Sequence, residues 1–232
     1  MKLLFENWRK FMKEGKAIKA NPSMREWATN AFSAYRKAGK EGSLEFSDPK
    51  TLDKPFFTGH IEDPYSGEEV EVKAVIVPTP EERPDKNNKF AIHFDTLGTQ
   101  NQTMKIHHKT AEPVFSDSSA VIPLMIHELV HVIDPKFKLD KEHPQRQIHK
   151  DTIKYHNSPH EQDAFMRQSV EIMKKLGLPG DYFPDEPDFG KFTKEKIQDY
   201  KPRTPWEKTW YETNPKAWRK LLNTLYAEVE EE

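Results

Sequence analysis

The sequence predicts an α+β fold: a small, mostly antiparallel sheet packed on a buried helix, with helical elaborations at both ends. Three observations carry that expectation. Residues 69–108 contain three short stretches in which apolar and polar residues alternate, the period of a half-buried strand. Residues 118–134 form the most apolar run of a hydrophilic chain, at helix length. Both ends carry apolar stripes at helical spacing. The expected division is a helical N-terminal arm (1–42), a central domain (43–192) and C-terminal helices (193–232) packed on that same domain.

From the start, Leu4, Trp8, Phe11 and Met12 recur at helical spacing and Gly15 ends the run. This is a short amphipathic arm, suited to packing on its own domain or on a protein partner. Asn21-Pro22 breaks the chain. Ser23 and Glu26 then make a capping box, followed by a stripe of Met24, Trp27, Ala28, Ala31, Phe32 and Tyr35 that Gly39 should stop. Residues 43–68 read as turns. Strands are expected over 69–77, 89–95 and 102–108, the first two separated by a proline-punctuated polar loop. The helix from Ser118 or Ser119 tolerates Pro123 in or just after its first turn. It must end by Asp134, because Pro135 follows. Residues 135–157 are polar and basic. Ser158-Pro159 opens a further helix, with Gly177 beyond its end. A proline-rich loop fills 178–192, a short helix lies near 193–200, and a last helix runs from Asn214-Pro215. That last helix is striped by Trp218, Leu221, Leu222, Leu225, Tyr226 and Val229.

Composition limits the function classes. The 36 basic and 38 acidic residues leave a net charge of −2, which excludes a charge-driven nucleic-acid binder. It also gives no general attraction to an anionic membrane. The absence of cysteine excludes thiolate zinc sites, iron–sulfur clusters and cysteine nucleophiles. No run approaches the roughly 18–20 apolar residues of a membrane span, and the N-terminus lacks the apolar core of a secretory signal. A soluble, cytoplasmic chain is expected.

One motif carries chemistry: His127-Glu128-Leu129-Val130-His131. Residues four apart on a helix share a face, so both imidazoles can meet one metal ion. Zinc takes neutral imidazole nitrogen at about 2.0–2.1 Å. Glu128, beside the first histidine, can take a proton from a water that the metal acidifies, and pass it to a leaving amine. A catalytic site needs a third ligand. Asp134 and Phe137 exclude a glycine three and a histidine six residues after His131. Glu161, in the first turn of the next substantial helix, is the favoured candidate. The alternative is that Glu161 completes a capping box with Ser158, with His156, His160 or His149 as the ligand.

His-Glu-Leu-Val-His followed by Tyr155-His-Asn-Ser-Pro-His-Glu161-Gln-Asp-Ala164 resembles the gluzincin branch of zinc metallopeptidases, in its compact, minigluzincin-like form. The resemblance covers about residues 70–177, and its specific part fewer than 50. It implies a zincin-like catalytic domain over 43–192 that hydrolyses peptide bonds. It assigns metal binding to His127, His131 and Glu161, the base to Glu128, and help with the oxyanion to Tyr155. It also implies a polypeptide substrate bound as an extended strand on a sheet edge, for which 102–108 is the expected edge, with His107 and His108 as rim residues. The chain departs from the larger gluzincins at Phe165, where they carry an aspartate, so Asp134 is the candidate for orienting an imidazole. The opening Phe5-Glu-Asn-Trp-Arg9 is similar to the first residues of some phage proteins. For a phage-encoded chain the location would be the host cytoplasm or the virion. A second class of function follows: a zincin-like binding or assembly protein with a structural or vestigial metal. Glu128 discriminates, since a purely structural site has no use for an uncoordinated carboxylate beside the metal.

Overall fold

The computed structural model describes residues 22–48, 50–63, 67–78, 92–94, 102–107, 118–133, 151–174, 197 and 200–230. They fall into two units, one within Asn21–Lys141 and one within Glu142–Glu232. The N-terminal arm over 3–14 lies outside the described residues. The division differs from the expected 1–42, 43–192 and 193–232. Helix α1 (Pro22–Glu41) belongs with the sheet and the motif helix, and the Glu161 helix belongs with the C-terminal helices.

Helix α1 buries the expected stripe, Met24, Trp27, Ala28, Ala31, Phe32 and Tyr35. Its ends differ from expectation. Ser23 lies inside the helix, and its hydroxyl accepts the Glu62 N–H at 2.9 Å, tying the helix to a strand. The stop is Gly42, not Gly39. Gly42 takes φ +65° and Ser43 N–H reaches back to the Ala38 carbonyl at 3.0 Å. A glycine ends a helix when it adopts the left-handed conformation after the last turn, and Gly39 does not.

Strands β1 (Pro55–Glu62), β2 (Glu69–Val77), β3 (Ile92–Phe94) and β4 (Gln102–His107) form one sheet in the order β1-β2-β4-β3. The pairs β1/β2 and β3/β4 are antiparallel and β2/β4 is parallel, so the sheet is mixed, with antiparallel pairing in two of three pairs. β1 occupies a region read from the sequence as turns. β4 was expected at the edge; it lies between β2 and β3, and among the described residues β3 is outermost on that side. Burial follows from this placement. Val72, Ala74 and Ile76 of β2 join Met104 and Ile106 of β4 in the core against the helices. Val75, Val77, Thr103, Lys105 and His107, on the alternate positions, are buried too. Parallel-paired inner strands are commonly covered on both faces. His107 is therefore no rim residue, and His108 lies outside the described residues.

The motif helix α2 (Ser118–Ile133) is buried along most of its length, with Val121, Ile122, Met125, Ile126, Leu129 and Val132 in that core. Pro123 sits one or two residues deeper than expected, at the sixth helical residue, where its missing N–H removes a helical hydrogen bond.

Trp27 joins α1 to the sheet: its indole N–H donates to the Val72 carbonyl at 3.2 Å and its ring meets Phe57 edge-on at 5.3 Å. Gly59 makes room for it, since a Cβ there would lie 2.9 Å from Trp27 Cδ1 and 3.0 Å from Phe57 Cζ.

The second unit is helical: α3 (Thr152–Asn157), α4 (Pro159–Lys174), α5 (Pro205–Thr213) and α6 (Pro215–Glu230). α3 and α5 were not expected. Of the helix expected near 193–200, Ile197 is helical and buried and its neighbours lie outside the described residues. Asp151 caps α3, Thr204 and Glu207 form a complete capping box on α5, and Asn214 Oδ1 accepts the Ala217 N–H of α6 at 3.1 Å. The core joins Phe165, Met166, Val170 and Met173 of α4 to Trp206 and Trp210 of α5 and to Trp218, Leu221, Leu222 and Leu225 of α6. Buried Arg167 of α4 pairs with Glu171 and with Glu228 of α6. Among the described residues no helix is long and apolar enough to cross a membrane.

Two predictions follow from this packing. Gly59→Ala should destabilise the chain by about 1–3 kcal/mol through overpacking against Trp27, read as a lowered denaturant midpoint; an unchanged midpoint would refute the close fit. Burial raises the Glu207 carboxyl above its ordinary 4.5, against hydrogen bonds from Ser169, the Arg203 amide, Tyr200 and the Thr204 amide. The folded state thus holds this proton more tightly than the unfolded chain. Wild-type stability should fall, relative to Glu207→Gln, as pH rises from about 4.5 through the raised folded value. Parallel stability profiles for the two proteins over that range would refute it.

Candidate metal centre

α2 positions the first two residues. His127 and His131 are buried at 3% and 6% exposure, one turn apart on one face. Their rings meet edge-on, with centroids 5.1 Å apart. Glu128 is only half-buried, so the carboxylate expected to act as base is more open than the two imidazoles.

The α3–α4 corner positions Glu161. Ser158 ends α3 and begins α4: its N–H donates to the Tyr155 carbonyl at 3.1 Å, and its hydroxyl accepts the Glu161 N–H at 3.4 Å. A full capping box would give the Ser158 N–H to the Glu161 carboxylate, but that amide already has an acceptor. The backbone of Glu161 takes part in the cap while its carboxylate, buried at 5% exposure, is directed elsewhere.

His127, His131 and Glu161 each offer one ligand atom, and these atoms all lie within 4.8 Å of one another. Ligands at the bond lengths of tetrahedral zinc stand about 3.3 Å apart. The donor set fits a divalent ion: two imidazoles that bind when neutral and one carboxylate that offsets charge. All three residues predicted as ligands form this group, which could hold a metal ion.

The remaining predicted residues fall as follows. Tyr155 is half-buried on α3, edge-on to Phe165 at 5.6 Å. Phe165, at the departure from the gluzincin pattern, stacks on Trp206 at 4.7 Å and 17°. It is part of an aromatic core, where an aspartate would lie desolvated. His156, a rival ligand in the sequence, is buried, and its Nδ1 lies 2.9 Å from Thr209 Oγ1. Burial lowers the basicity of its ring, and the Glu161 carboxylate partly restores it. Asp134, His143 and His149 lie outside the described residues, and so does the side chain of His160.

Sequence reasoning missed Thr209 and Trp210, whose hydroxyl and indole hold His156 from α5; the Trp210 N–H donates to the His156 carbonyl at 2.8 Å. The available signal was Thr204-Pro205-Trp206-Glu207, a capping sequence with Pro at the first helical position.

A divalent transition metal added to the purified chain should bind one to one, and His131→Ala should abolish that binding. Glu161→Gln should weaken it at least tenfold, the scale of even outer-shell changes. If calorimetry shows only a loss of about 1 kcal/mol in helix stability, as for a lost cap, Glu161 is not a ligand.

No family model, curated protein or solved structure matches the chain.

Proposed function

We propose that the chain is a zinc-dependent metallopeptidase with a zincin-like fold of the compact gluzincin kind. The observation that supports this best is the convergence of His127, His131 and Glu161, within 4.8 Å, with Glu128 adjacent in sequence. Three protein ligands of this type leave a fourth position open, the pattern of catalytic rather than structural zinc sites.

A bound zinc would supply a Lewis acid that acidifies a water molecule and polarises the scissile carbonyl. The protein's own groups do the rest. His127 and His131 would hold the ion as neutral imidazoles from α2. Glu161 would hold it as a carboxylate. Glu128, half-buried, takes the water's proton during attack on the carbonyl carbon and delivers it to the amine as the C–N bond breaks. Tyr155 is the candidate donor to the developing oxyanion. An extended polypeptide would pair with β3, the outermost strand on its side of the sheet among the described residues, gaining backbone hydrogen bonds with little demand on sequence.

Glu128→Gln tests the proposal. It removes the proton acceptor and leaves the three ligands in place, so zinc affinity should change little. Cleavage of an unstructured test protein should fall roughly 100- to 10,000-fold, the worth of general-base catalysis. Wild-type cleavage should stop with a chelator and return with zinc. Equal inertness of zinc-loaded wild type and Glu128→Gln on a broad peptide library would overturn the peptidase reading in favour of a binding or assembly role.

A further inference from the structure

The α3–α4 corner that carries Glu161 is clasped to the α5–α6 corner by a pair of asparagine amides. Asn214 Oδ1 accepts the Ala217 N–H at 3.1 Å. Asn214 Nδ2 donates to Asn157 Oδ1 at 2.8 Å. Asn157 Nδ2 donates to Thr213 Oγ1 at 3.2 Å, and the Thr213 hydroxyl donates to the Thr209 carbonyl at 2.7 Å. A backbone N–H begins this run and a backbone carbonyl ends it. An N–H can only donate and a carbonyl can only accept, so the direction of every bond between them is fixed, and with it the orientation of both amides.

The near end of the clasp is built into the turn that holds Glu161. Asn157 is half-buried and is the last residue of α3. Its carbonyl accepts Nε2 of Gln162, the residue after Glu161, at 3.0 Å. Ser158, which follows Asn157, takes the Glu161 N–H on its hydroxyl at 3.4 Å and the Gln162 N–H on its carbonyl at 3.0 Å. Asn157 and the first turn of α4 are thus joined by direct contacts. The far end is anchored as well, because Asn214 ends α5 and caps α6. α3 is too short to hold that turn in place by itself.

We propose that Asn157 is a positioning residue: its amide fixes the first turn of α4 against the α5–α6 corner, and so fixes where the Glu161 carboxylate stands. The consequence for metal binding rests on the zinc-site reading above; the clasp does not.

The experiment compares the full-length wild type with Asn157→Ala, Asn157→Asp, Thr213→Val and Thr204→Ala. Asn157→Ala removes the clasp and leaves the backbone contacts of the corner. Asn157→Asp keeps an acceptor for Asn214, and the Thr213 hydroxyl can turn to donate to the second oxygen. Thr213→Val cuts the clasp from α5. Thr204→Ala removes the cap of α5 and leaves the clasp, so it is the control for general destabilisation. In the metal-free proteins, amide exchange at Glu161 and Gln162 should speed about tenfold in Asn157→Ala, the scale of one or two lost hydrogen bonds. Zinc affinity by competition should fall about tenfold in the same variant, the scale of outer-shell changes. Thr213→Val should shift both readouts in the same direction, and Asn157→Asp and Thr204→Ala should hold both at the wild-type value. Unchanged exchange in Asn157→Ala and Thr213→Val overturns the clasp. Faster exchange with unchanged zinc affinity overturns the positioning of Glu161. An equal loss of affinity in Thr204→Ala makes the effect one of stability and overturns it too. If wild type binds no zinc, the metal-site reading falls, while amide exchange still decides the clasp.

Discussion

The first unit is organised around two imidazoles buried one turn apart in a helix that is otherwise apolar. Polar groups removed from water without partners cost several kcal/mol in apolar surroundings. Val121, Ile122, Met125, Ile126, Leu129 and Val132 make most of the rest of that helix apolar and buried. The sheet and α1 exist in this economy to bury that helix: Met104 and Ile106 from β4, Ala74 and Ile76 from β2, and the stripe of α1 close on it. Together with Glu161 the two imidazoles form a group that could hold a metal ion, which each imidazole would bind while neutral.

The second unit solves a different problem, that of holding a short corner still. α3 has six residues, too few to be stable as a helix alone. It is held by Asp151 at its start and by α5 along its side: Trp210 takes the His156 carbonyl, Thr209 the His156 ring, and Asn214 Nδ2 donates to Asn157 Oδ1 at 2.8 Å. α4 is fixed in turn by aromatic stacking on Trp206 and by Arg167, which bridges to Glu228 of α6. Removing one partner of a buried ion pair strands the other charge and typically costs several kcal/mol. The corner that carries Glu161 is therefore rigid through helices that take no direct part in the proposed chemistry.

Much of this was legible in the sequence, and the misses have physical causes. The stripes of α1 and α6, the apolar run of α2 and the alternation in β2 and β4 are periodic signals produced by one-sided or near-complete burial. β1 was hidden because adjacent Phe56 and Phe57 break the two-residue period and Gly59 interrupts it, for a reason visible only once Trp27 is beside it. The position of β4 inside the sheet was not encoded in its alternation, because strand order depends on which neighbour pairs with it. α5 announced itself through Thr204-Pro205-Trp206-Glu207, a signal passed over for the stronger one at Asn214-Pro215. The grouping of His127, His131 and Glu161 was readable from one spacing and one helix start. The fate of His156 was not, because it depends on a threonine remote in the chain.

Glu161 sits where several local demands meet. As the third residue of α4 it lies in the first turn, where the exposed backbone N–H groups favour a negative charge. Its own N–H is taken by the Ser158 hydroxyl, so the helix start does not need its carboxylate. The Ser158 N–H, the group most able to draw that carboxylate back into a cap, is held by the Tyr155 carbonyl because α3 turns directly into α4. The His156 imidazole, on the preceding helix, has its Nδ1 against Thr209 Oγ1. A helix-opening sequence that ordinarily closes on itself is here only half closed, and its carboxylate belongs to the group that could hold a metal ion.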